Sequence, residues 1–493
     1  MSMRILFFLL LFILSASAHL VGQDFCGTSV EVQSQMQPQA ITLSQRNSTT
    51  YVPIRIHLVG DNEGNGLPNV SRVLDQMTRL NKDFEGTGIQ FYMAGNGFFN
   101  IINDAKIYED PQINVQDVIR NKSSNAMNVF VTKNTFNSQN GGTILGYYSG
   151  LGTDHIVMLN NQLSSSNNTL SHEVGHFFNL RHTFFGWEQE PYNAPPQGIL
   201  LTLRWPPTTM VGVDWFKNPT CQTAADQVCD TPPDYNFGFA ANGCRFTQQI
   251  RDPNNELVVT QEKNQMGYFN NCDEYFFTEG QYTRMFTSLM SASRSYVRLI
   301  YNPITAAIAD KPIIVDLPAV IPTYNNVFIQ WTPVPGATHY LVEFTDGRSY
   351  RYSIQSGTSV RTFDLEANRN YFVRVRPFNE YFTNTQTEIR TFRTGNILSS
   401  TSNNEDDQFL IDLIGNPISK GNRDIQFNIY STMNFPATVK LFDVQGKLIR
   451  IENKQIESGT VLHSIPTSNL NTGLHILSVE SEYGRITKKL IIY

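Results

Sequence analysis

Hydrophobic and polar positions follow two different periods in the first half of the chain. Residues 51–59 have the composition of a strand, and the apolar residues after them recur at helical spacing: Val70, Val73, Leu74, Met77, Leu80 and Phe84. Residues 89–93, 127–132, 143–149 and 155–159 predict further short strands between turns rich in Asn, Gly and Ser. This order of elements predicts an α+β unit.

The pattern changes near Lys311 to short strands at regular spacing. Trp331, the turn at 333–336 and the alternating run 371–375 predict a small β-sandwich. The polar stretch 399–407 then predicts a solvated linker, and a last all-β unit runs to Tyr493. Two all-β sandwich domains are therefore expected after the α+β unit.

Composition and charge narrow the class of protein. At 493 residues, and with roughly one domain per 100 to 200 residues, the chain is expected to hold about three domains. Charged residues make up only 16%, and the formal net charge is −6 without a long basic run. The electrostatic footprint of a nucleic-acid binder is missing, so no nucleic-acid partner is expected.

The first 18 residues have the order of a secretory signal. Arg4 precedes the apolar run 5–14, and small residues close the segment at Ala16, Ser17 and Ala18. The apolar run is too short for a stable membrane anchor, and no later segment reaches transmembrane length. We expect a secreted or cell-surface protein without a transmembrane helix.

Three histidines and one carboxylate are closely spaced between residues 169 and 184. Residues four apart share one helix face, so His172 and His176 can offer two imidazoles to one metal ion. Glu173 would lie beside the open coordination position as a base for a zinc-bound water. His182 lies beyond that helix face, so the chain must turn near Asn179, a residue type that tolerates the left-handed conformation.

Five cysteines in an exported chain leave one unpaired. Cys221, Cys229, Cys244 and Cys272 cluster after the histidines, whereas Cys26 stands alone near the start. Cys26 is therefore the expected odd residue. Four cysteines allow three pairings, and the sequence alone does not choose among them.

A second motif follows, Asn-Gln-Met266-Gly-Tyr268, and then Phe-Phe-Thr-Glu-Gly-Gln-Tyr-Thr-Arg-Met at 276–285. Together with the motif His172-Glu173-x-x-His176-x-x-Asn179-x-x-His182, it resembles the metzincin endopeptidases, and within them the pappalysins. The residues at 174–175, 182–184 and 230–232 strengthen the narrower resemblance, which covers roughly residues 50–290. The departure is Asn179, where most metzincins have glycine.

The resemblance implies a metzincin-like fold and a reaction. The fold would be a twisted sheet with long helices and an irregular lower subdomain, and the edge strand carrying Leu145, Gly146 and Tyr147 would pair with an extended substrate. Met266 would form an apolar floor beneath the zinc histidines. Tyr268 would donate a hydrogen bond to the developing oxyanion while Glu173 activates the water on one catalytic Zn²⁺.

Three further expectations come from the same resemblance. Cys26, followed by Gly27, would occupy the fourth zinc position of a zymogen until the chain is cleaved between about Ser34 and Tyr51. The alternative for Cys26 is a disulfide partner or an idle thiol. Cys244 would pair with Cys272, which leaves Cys221 for Cys229, and Asp226 and Asp230 would lie in a loop that binds Ca²⁺ in some relatives or forms a solvated turn.

The two β-units carry resemblances of their own. Residues 311–395 resemble a fibronectin type III module, in which Trp331 and Tyr371 occupy buried aromatic positions. The segments 439–449 and 470–479, and the ending Lys488-Lys-Leu-Ile-Ile-Tyr493, resemble the C-terminal sorting domain of the type IX secretion system. The secretion machinery is then an expected partner. The alternative for this last unit is an ordinary adhesive β-sandwich.

The expected organisation is a signal peptide at 1–18, a pro-segment at 19–50, a peptidase domain at 51–305, a fibronectin type III-like domain at 311–395, a linker at 396–408 and a sorting domain at 409–493. The expected function is zinc-dependent hydrolysis of peptide bonds in a protein or peptide substrate. The alternatives are a surface adhesin or binding protein with a vestigial zinc site, and a zinc hydrolase of another clan with a distant Glu as third ligand.

Overall fold

The computed structural model describes residues 25–37, 49–95, 98–136, 143–188, 219–241, 243–252, 255–324, 326–362, 365–381, 383, 388–397, 409–414, 416–418, 424–431, 434–457, 459–467 and 470–493. The expected signal peptide and most of the expected linker lie outside these residues.

The first unit is built on a seven-stranded sheet. Its strands are β1 (Phe25–Cys26), β2 (Thr50–Gly60), β3 (Ile89–Met93), β4 (Phe99–Asn103), β5 (Met127–Thr132), β6 (Ile144–Tyr148) and β7 (Ile156–Leu159). The order is β1-β6-β7-β5-β2-β3, and β4 pairs with the second half of β2 beyond β3. The pairing is parallel throughout, except that β6 runs antiparallel to β7.

Helices cover this sheet and connect its strands. They are α1 (Val30–Ser34), α2 (Ser71–Asp83), α3 (Ala105–Glu109), α4 (Val115–Arg120), α5 (Thr169–Phe177), α6 (Phe237–Ala240) and α7 (Glu279–Met290), with 3₁₀ turns at Asn160–Gln162, Pro219–Gln222 and Ala292–Val297. Helix α2 buries the apolar face predicted from its spacing. Helix α7 begins with a capping box in which Thr278 and Gln281 each bind the other's backbone N–H.

One apolar core joins the sheet to α2, α5 and α7. It includes Ile54 and Ile56 of β2, Val174 and Phe177 of α5, and Met285 of α7. All nine residues of α5 are buried. Polar side chains on this helix are therefore shielded from water, which sets the electrostatics of the site described below.

The second unit is a β-sandwich. Its strands are β8 (Ile314–Val315), β9 (Val320–Thr323), β10 (Val327–Trp331), β11 (His339–Thr345), β12 (Tyr350–Gln355), β13 (Ser359–Thr362), β14 (Asn370–Phe378) and β15 (Glu388–Ile397). One sheet has the order β13-β10-β8 and the other β12-β11-β14-β15-β9. Trp331 and Tyr371 are buried in its core, as predicted, and the Tyr371 hydroxyl accepts a hydrogen bond from Glu366 N at 2.9 Å.

The third unit is a second sandwich, with strands β16 (Phe409–Ile414), β17 (Ile425–Ser431), β18 (Phe435–Asp443), β19 (Leu448–Ile456), β20 (Gly459–Ile465), β21 (Gly473–Ser481) and β22 (Gly484–Ile492). Its two sheets have the orders β16-β17-β20 and β19-β18-β21-β22. A separate apolar cluster fills the space between them. No helix in the described part of the chain is long and apolar enough to cross a membrane.

The first sandwich packs directly on the α+β unit. Phe378 belongs to the same buried cluster as the sheet core, and the Arg376 guanidinium pairs with Asp75 at 2.8 Å. Met93 N at the end of β3 donates a hydrogen bond to Glu380 O at 2.8 Å. These contacts hold the sandwich against the α+β unit, which also carries the three histidines.

Candidate metal centre

The end of helix α5 brings the third histidine towards the first two. Asn179 has φ 73°, the left-handed conformation expected from its residue type. Leu180 N donates to Gly175 O at 3.0 Å, which closes the helix and reverses the chain. His182 Nε2 consequently lies 3.2 Å from His176 Nε2.

Four potential ligands meet at one point. Ligand atoms of Cys26, His172, His176 and His182 lie within 4.8 Å of one another, and this is the one such cluster of three or more His, Cys, Asp or Glu residues among those the structure describes. Cys26 Sγ is 3.5 Å from His176 Nε2. The sequence motif predicts three of these residues, and the fourth approaches from the beginning of the chain.

The second ring nitrogen of two of these histidines is occupied by a backbone acceptor. His172 Nδ1–H donates to Gln265 O at 2.6 Å, and His176 Nδ1–H donates to Leu180 O at 2.8 Å. These bonds place the proton on Nδ1 and leave Nε2 with a free lone pair facing the centre. The Nε2 atom of His172 is buried and has no hydrogen-bond partner.

The donor set fits a zinc ion. Two nitrogen ligands of one tetrahedral zinc lie about 3.3 Å apart, and a nitrogen and a sulfur ligand lie about 3.6 Å apart. The separations of 3.2 Å between His176 and His182 and 3.5 Å between Cys26 and His176 agree with these values. Three imidazoles and one thiol are also the ligand types that zinc prefers.

Burial keeps the histidines neutral. It lowers the pKa of His172 to about 4 and, together with the neighbouring histidines, holds the pKa of His176 and His182 well below the usual value. Burial, followed by the Glu173 carboxylate, raises the pKa of the Cys26 thiol. A cation at the centre would oppose that rise and favour the thiolate.

Glu173 is a buried carboxylate with one oxygen engaged and one free of protein hydrogen bonds. Oε2 accepts a hydrogen bond from Thr28 Oγ1 at 3.0 Å, whereas Oε1 has no partner. Burial raises its pKa to about 7. A carboxyl group with this pKa can both take up and release a proton near neutral pH.

The N-terminal segment 25–37 lies across this site. Strand β1 pairs in parallel with β6, and Gly27 N donates to Gly146 O at 2.8 Å. Tyr148 N donates to Thr28 Oγ1 at 2.9 Å. The edge predicted to receive substrate, with Leu145, Gly146 and Tyr147 in β6, is therefore covered by the chain's own segment.

Buried arginines hold the rest of this segment in place. Arg181 Nε donates to Gln33 O at 2.9 Å, and Arg284 Nη2 donates to Met36 O at 2.5 Å. Asn179 Nδ2, at the helix end, donates to Gln37 O at 2.8 Å. The segment is thus anchored by side chains of the turn before His182 and of α7.

Met266 lies beneath helix α5, whereas Tyr268 lies beside His182. Met266 is fully buried beneath α5, so close that a Cβ on Gly175 would lie 2.5 Å from its Sδ. The ring of Tyr268 lies 5.0 Å from that of His182, and its hydroxyl donates to Cys26 O at 3.0 Å. Burial raises the pKa of Tyr268, so its hydroxyl remains a hydrogen-bond donor.

The cysteine pairing is confirmed. Disulfides join Cys221 to Cys229 and Cys244 to Cys272, and Cys26 is free. The second bond connects the loop after Met266 to the segment before it. The wall of the cleft next to Tyr268 is therefore cross-linked.

Asp226 and Asp230 both serve the local fold. Asp226 accepts hydrogen bonds from Val228 N and from the Thr231 hydroxyl at 2.9–3.1 Å. Asp230 accepts from Thr278 Oγ1 and Gly280 N at 2.7 Å, at the start of α7. These bonds give both carboxylates a structural role without an ion. Calcium binding at this loop stays a prediction.

Sequence reasoning missed three residues that touch the centre. Thr28 contacts Glu173, and Gln33 contacts His182 twice, through Nε2 to Nδ1 at 3.0 Å and from His182 N to Oε1 at 2.9 Å. Glu188 Oε1 lies 3.3 Å from His182 Nδ1. The sequence signal for these residues was weak: Thr28 follows Cys26-Gly27, and Glu188 is a carboxylate six residues after His182.

Comparison with known proteins identifies the end of the chain. Residues 416–493 match the family described as "Secretion system C-terminal sorting domain", which confirms the prediction for the third unit and indicates export to a secreted or cell-surface location. The search of curated proteins found no match to this chain.

Solved structures similar to this chain include two types. The FN1-FN3 domains of chicken CNTN1 are 11% identical, with 38% of this chain and 68% of that chain covered at a TM-score of 0.16. A fibronectin type III domain from human KIAA0970 is 16% identical, with 19% of this chain and 76% of that chain covered at a TM-score of 0.15. Dimeric latent PorU from Porphyromonas gingivalis is 12% identical, with 38% of this chain and 20% of that chain covered at a TM-score of 0.21. TM-scores this low carry no argument about function.

Proposed function

We propose that this chain is a secreted zinc-dependent metalloendopeptidase of the metzincin type, similar to the pappalysins. One observation carries the proposal: His172, His176 and His182 converge on one point, next to a buried Glu173 oxygen that has no partner. A bound zinc ion would supply a Lewis acid and a water molecule of lowered pKa. Leaving His172 Nε2 and Glu173 Oε1 buried without hydrogen-bond partners is costly, so a site of this kind is expected to bind something.

Glu173 would act as the proton carrier of the reaction. Its carboxylate lies next to the three histidines, so it can take a proton from the attacking water and pass it to the amine that leaves. Its free Oε1 is available for this transfer.

Two other groups would hold the substrate. The edge of β6 offers backbone groups to an extended peptide, which favours cleavage within a chain over removal of terminal residues. Tyr268 OH now donates to a peptide carbonyl, that of Cys26, and would make the same bond to the reacting carbonyl oxygen of a substrate.

The N-terminal segment would keep the enzyme latent. Cys26 Sγ would hold a bound zinc ion at the position that the attacking water needs, Thr28 donates to Glu173, and Tyr268 donates to Cys26 O. All three catalytic groups are thus blocked within three residues of sequence. Cleavage between about Ser34 and Tyr51 would release the segment.

Comparison of the wild type with Glu173→Ala tests the proposal. We expect the wild type, after limited proteolysis of the N-terminal segment, to cleave a mixed peptide library, and Glu173→Ala to bind zinc equally but to cut at least about a thousandfold more slowly. Exposed Glu109→Ala is the matched control. Equal cleavage by the wild type and Glu173→Ala would refute the mechanism, and absence of zinc in both would favour a binding protein.

Latency has a separate test. The untreated full-length wild type is expected to be inactive, and Cys26→Ala to gain partial activity because the thiolate no longer holds the fourth position. Adding Thr28→Val should raise activity further by freeing Glu173. Full activity of the untreated wild type, with no change in Cys26→Ala, would exclude this zymogen mechanism.

A further inference from the structure

A cavity of about 560 Å³ opens beside the candidate metal centre. His172 and Glu173 are among its lining residues. One wall is the turn before α5 and its first residue, with Asn167, Asn168 and Thr169, and the opposite wall is the loop after Met266. It is a pocket of the size that holds a substrate group rather than a packing gap.

The lining of this cavity combines polar side chains with the apolar and aromatic residues Leu145, Phe269 and Tyr275. Apart from Glu173, its described lining residues include no Asp, Glu, Lys or Arg, and the walls present side-chain amides and hydroxyls: Gln162, Ser166, Asn167, Asn168, Thr169, Asn270 and Asn271. Arg79 lies behind the wall, 5.9 Å from the ring centroid of Tyr275, and is neutralised by Asp83 at 2.8 Å. The walls therefore offer hydrogen bonds without a counter-ion.

The position of the cavity identifies which substrate residue it would receive. His172 and Glu173 line it, whereas His176 and His182 do not. Glu173 would protonate the leaving amine, and that amine belongs to the residue directly after the scissile bond. A pocket on the side of Glu173 would therefore receive the side chain of this residue.

We infer that this cavity selects a neutral polar side chain, Asn, Gln, Ser or Thr, directly after the scissile bond. A charged side chain would lose part of its hydration without gaining a wall partner of opposite charge, and an aliphatic one would displace water from the wall amides and hydroxyls without replacing its hydrogen bonds. The inference rests on the proposed peptidase function and adds its substrate class.

Cleavage of a peptide library by the proteolytically activated full-length chain tests this inference. Cut sites sequenced by mass spectrometry should be enriched on the order of tenfold for Asn, Gln, Ser and Thr after the cut, relative to Lys, Arg, Asp, Glu and Leu. Enrichment of charged or aliphatic residues there would overturn the inference and leave the peptidase function standing.

A charge introduced into the wall should change the preference. Asn270 Oδ1 accepts a hydrogen bond from Asn271 Nδ2, so Asn270→Asp keeps that acceptor while adding a carboxylate. We expect Lys and Arg to be accepted on the order of tenfold better by this variant. Exposed Asn62→Asp, which keeps its acceptor for Ala105 N, is the matched control. An unchanged preference in Asn270→Asp would also overturn the inference.

A binding measurement separates this inference from the peptidase function. Two peptides that differ only by Asn or Lys at the selected position are titrated against activated Glu173→Ala by calorimetry. About tenfold tighter binding of the Asn peptide is expected. Discrimination in binding without any hydrolysis by the wild type would support the pocket and refute the peptidase; equal binding would refute the pocket.

Discussion

At the scale of single residues, spacing identified the histidines and the carboxylate that meet at the candidate metal centre but not the groups that contact them. His172, Glu173, His176 and His182 stand close together in the chain because one helix and one turn carry them, so their pattern is visible in sequence. Thr28, Gln33 and Glu188 act on the same atoms from other segments. Contacts between such distant segments leave no repeating pattern in the sequence.

Glu188 is expected to strengthen metal binding through His182. When Nε2 serves as the ligand, Nδ1 carries the proton, and Glu188 Oε1 at 3.3 Å is the acceptor for it, because the nearer Gln33 Nε2 at 3.0 Å is itself a donor and would leave with the N-terminal segment. Glu188→Gln keeps the shape and weakens this acceptor, so zinc affinity should fall by about tenfold or more. Competition with a chelator, read as retained zinc, measures the change independently of activity.

A control variant makes the Glu188 result specific. Glu109→Gln removes the same charge from an exposed position and should leave zinc affinity unchanged. If Glu188→Gln and Glu109→Gln retain zinc equally well, Glu188 has no positioning role.

At the scale of elements, the sequence predicted the strands and the helix that follow a clear hydrophobic period, and it missed an element without such a period. Strands β3 and β5 have the predicted bounds, and α2 lies within the predicted apolar run. Strand β4 was not predicted, because residues 99–103 place two asparagines among apolar residues. In the structure, only three of its five residues are buried or partly buried. The ends of α5 depended on Asn179, whose conformation the residue type predicted.

Helix α6 is expected to fix the loop that carries Tyr268. A Cβ on Gly238 would lie 2.4 Å from the backbone carbon of Tyr268 and 2.5 Å from Phe269 N, and backbone atoms cannot move aside cheaply. Gly238→Ala should therefore lower the free energy of unfolding by about 2 kcal/mol and reduce activity. Chemical denaturation of the full chain measures the first effect.

Gly152→Ala is the matched control for this packing prediction. A Cβ there meets nothing within 4 Å, so the same substitution should change the free energy of unfolding by less than about 0.5 kcal/mol. Equal stability of the two variants would show that α6 does not constrain the loop.

At the scale of the whole molecule, the three units differ in how they are joined. The fibronectin type III-like sandwich has its own core but also contributes Leu341, Ile354 and Phe378 to the buried cluster of the α+β unit, whereas the C-terminal sandwich has a separate core. The first two units are therefore expected to unfold together. The sorting domain at the end serves export and has its own fold.

Arg376 is expected to couple the first two units. It pairs with Asp75 at 2.8 Å and donates to Ser71 O at 3.1 Å, both across the junction. Arg376→Ala should cost about 2 kcal/mol, with Asp75 partly hydrated after the change. Scanning calorimetry should show one shared transition in the wild type and a lower, broader one in the variant.

Exposed Arg393→Ala on β15 is the control for this junction, and its transition should match that of the wild type. Two separate transitions in the wild type, unaffected by Arg376→Ala, would show that the units fold independently.

The sequence by itself indicated the histidine cluster and the sorting domain, because each is carried by residues close in the chain, and it indicated the odd cysteine, because Cys26 lies far from the other four. Only the tertiary structure decided which groups meet at that cluster. Cys26 reaches His176 across 150 positions, and Tyr268 reaches Cys26 across 242. Such contacts depend on how sheet, helix and segment pack together, and no spacing along the chain encodes that packing directly.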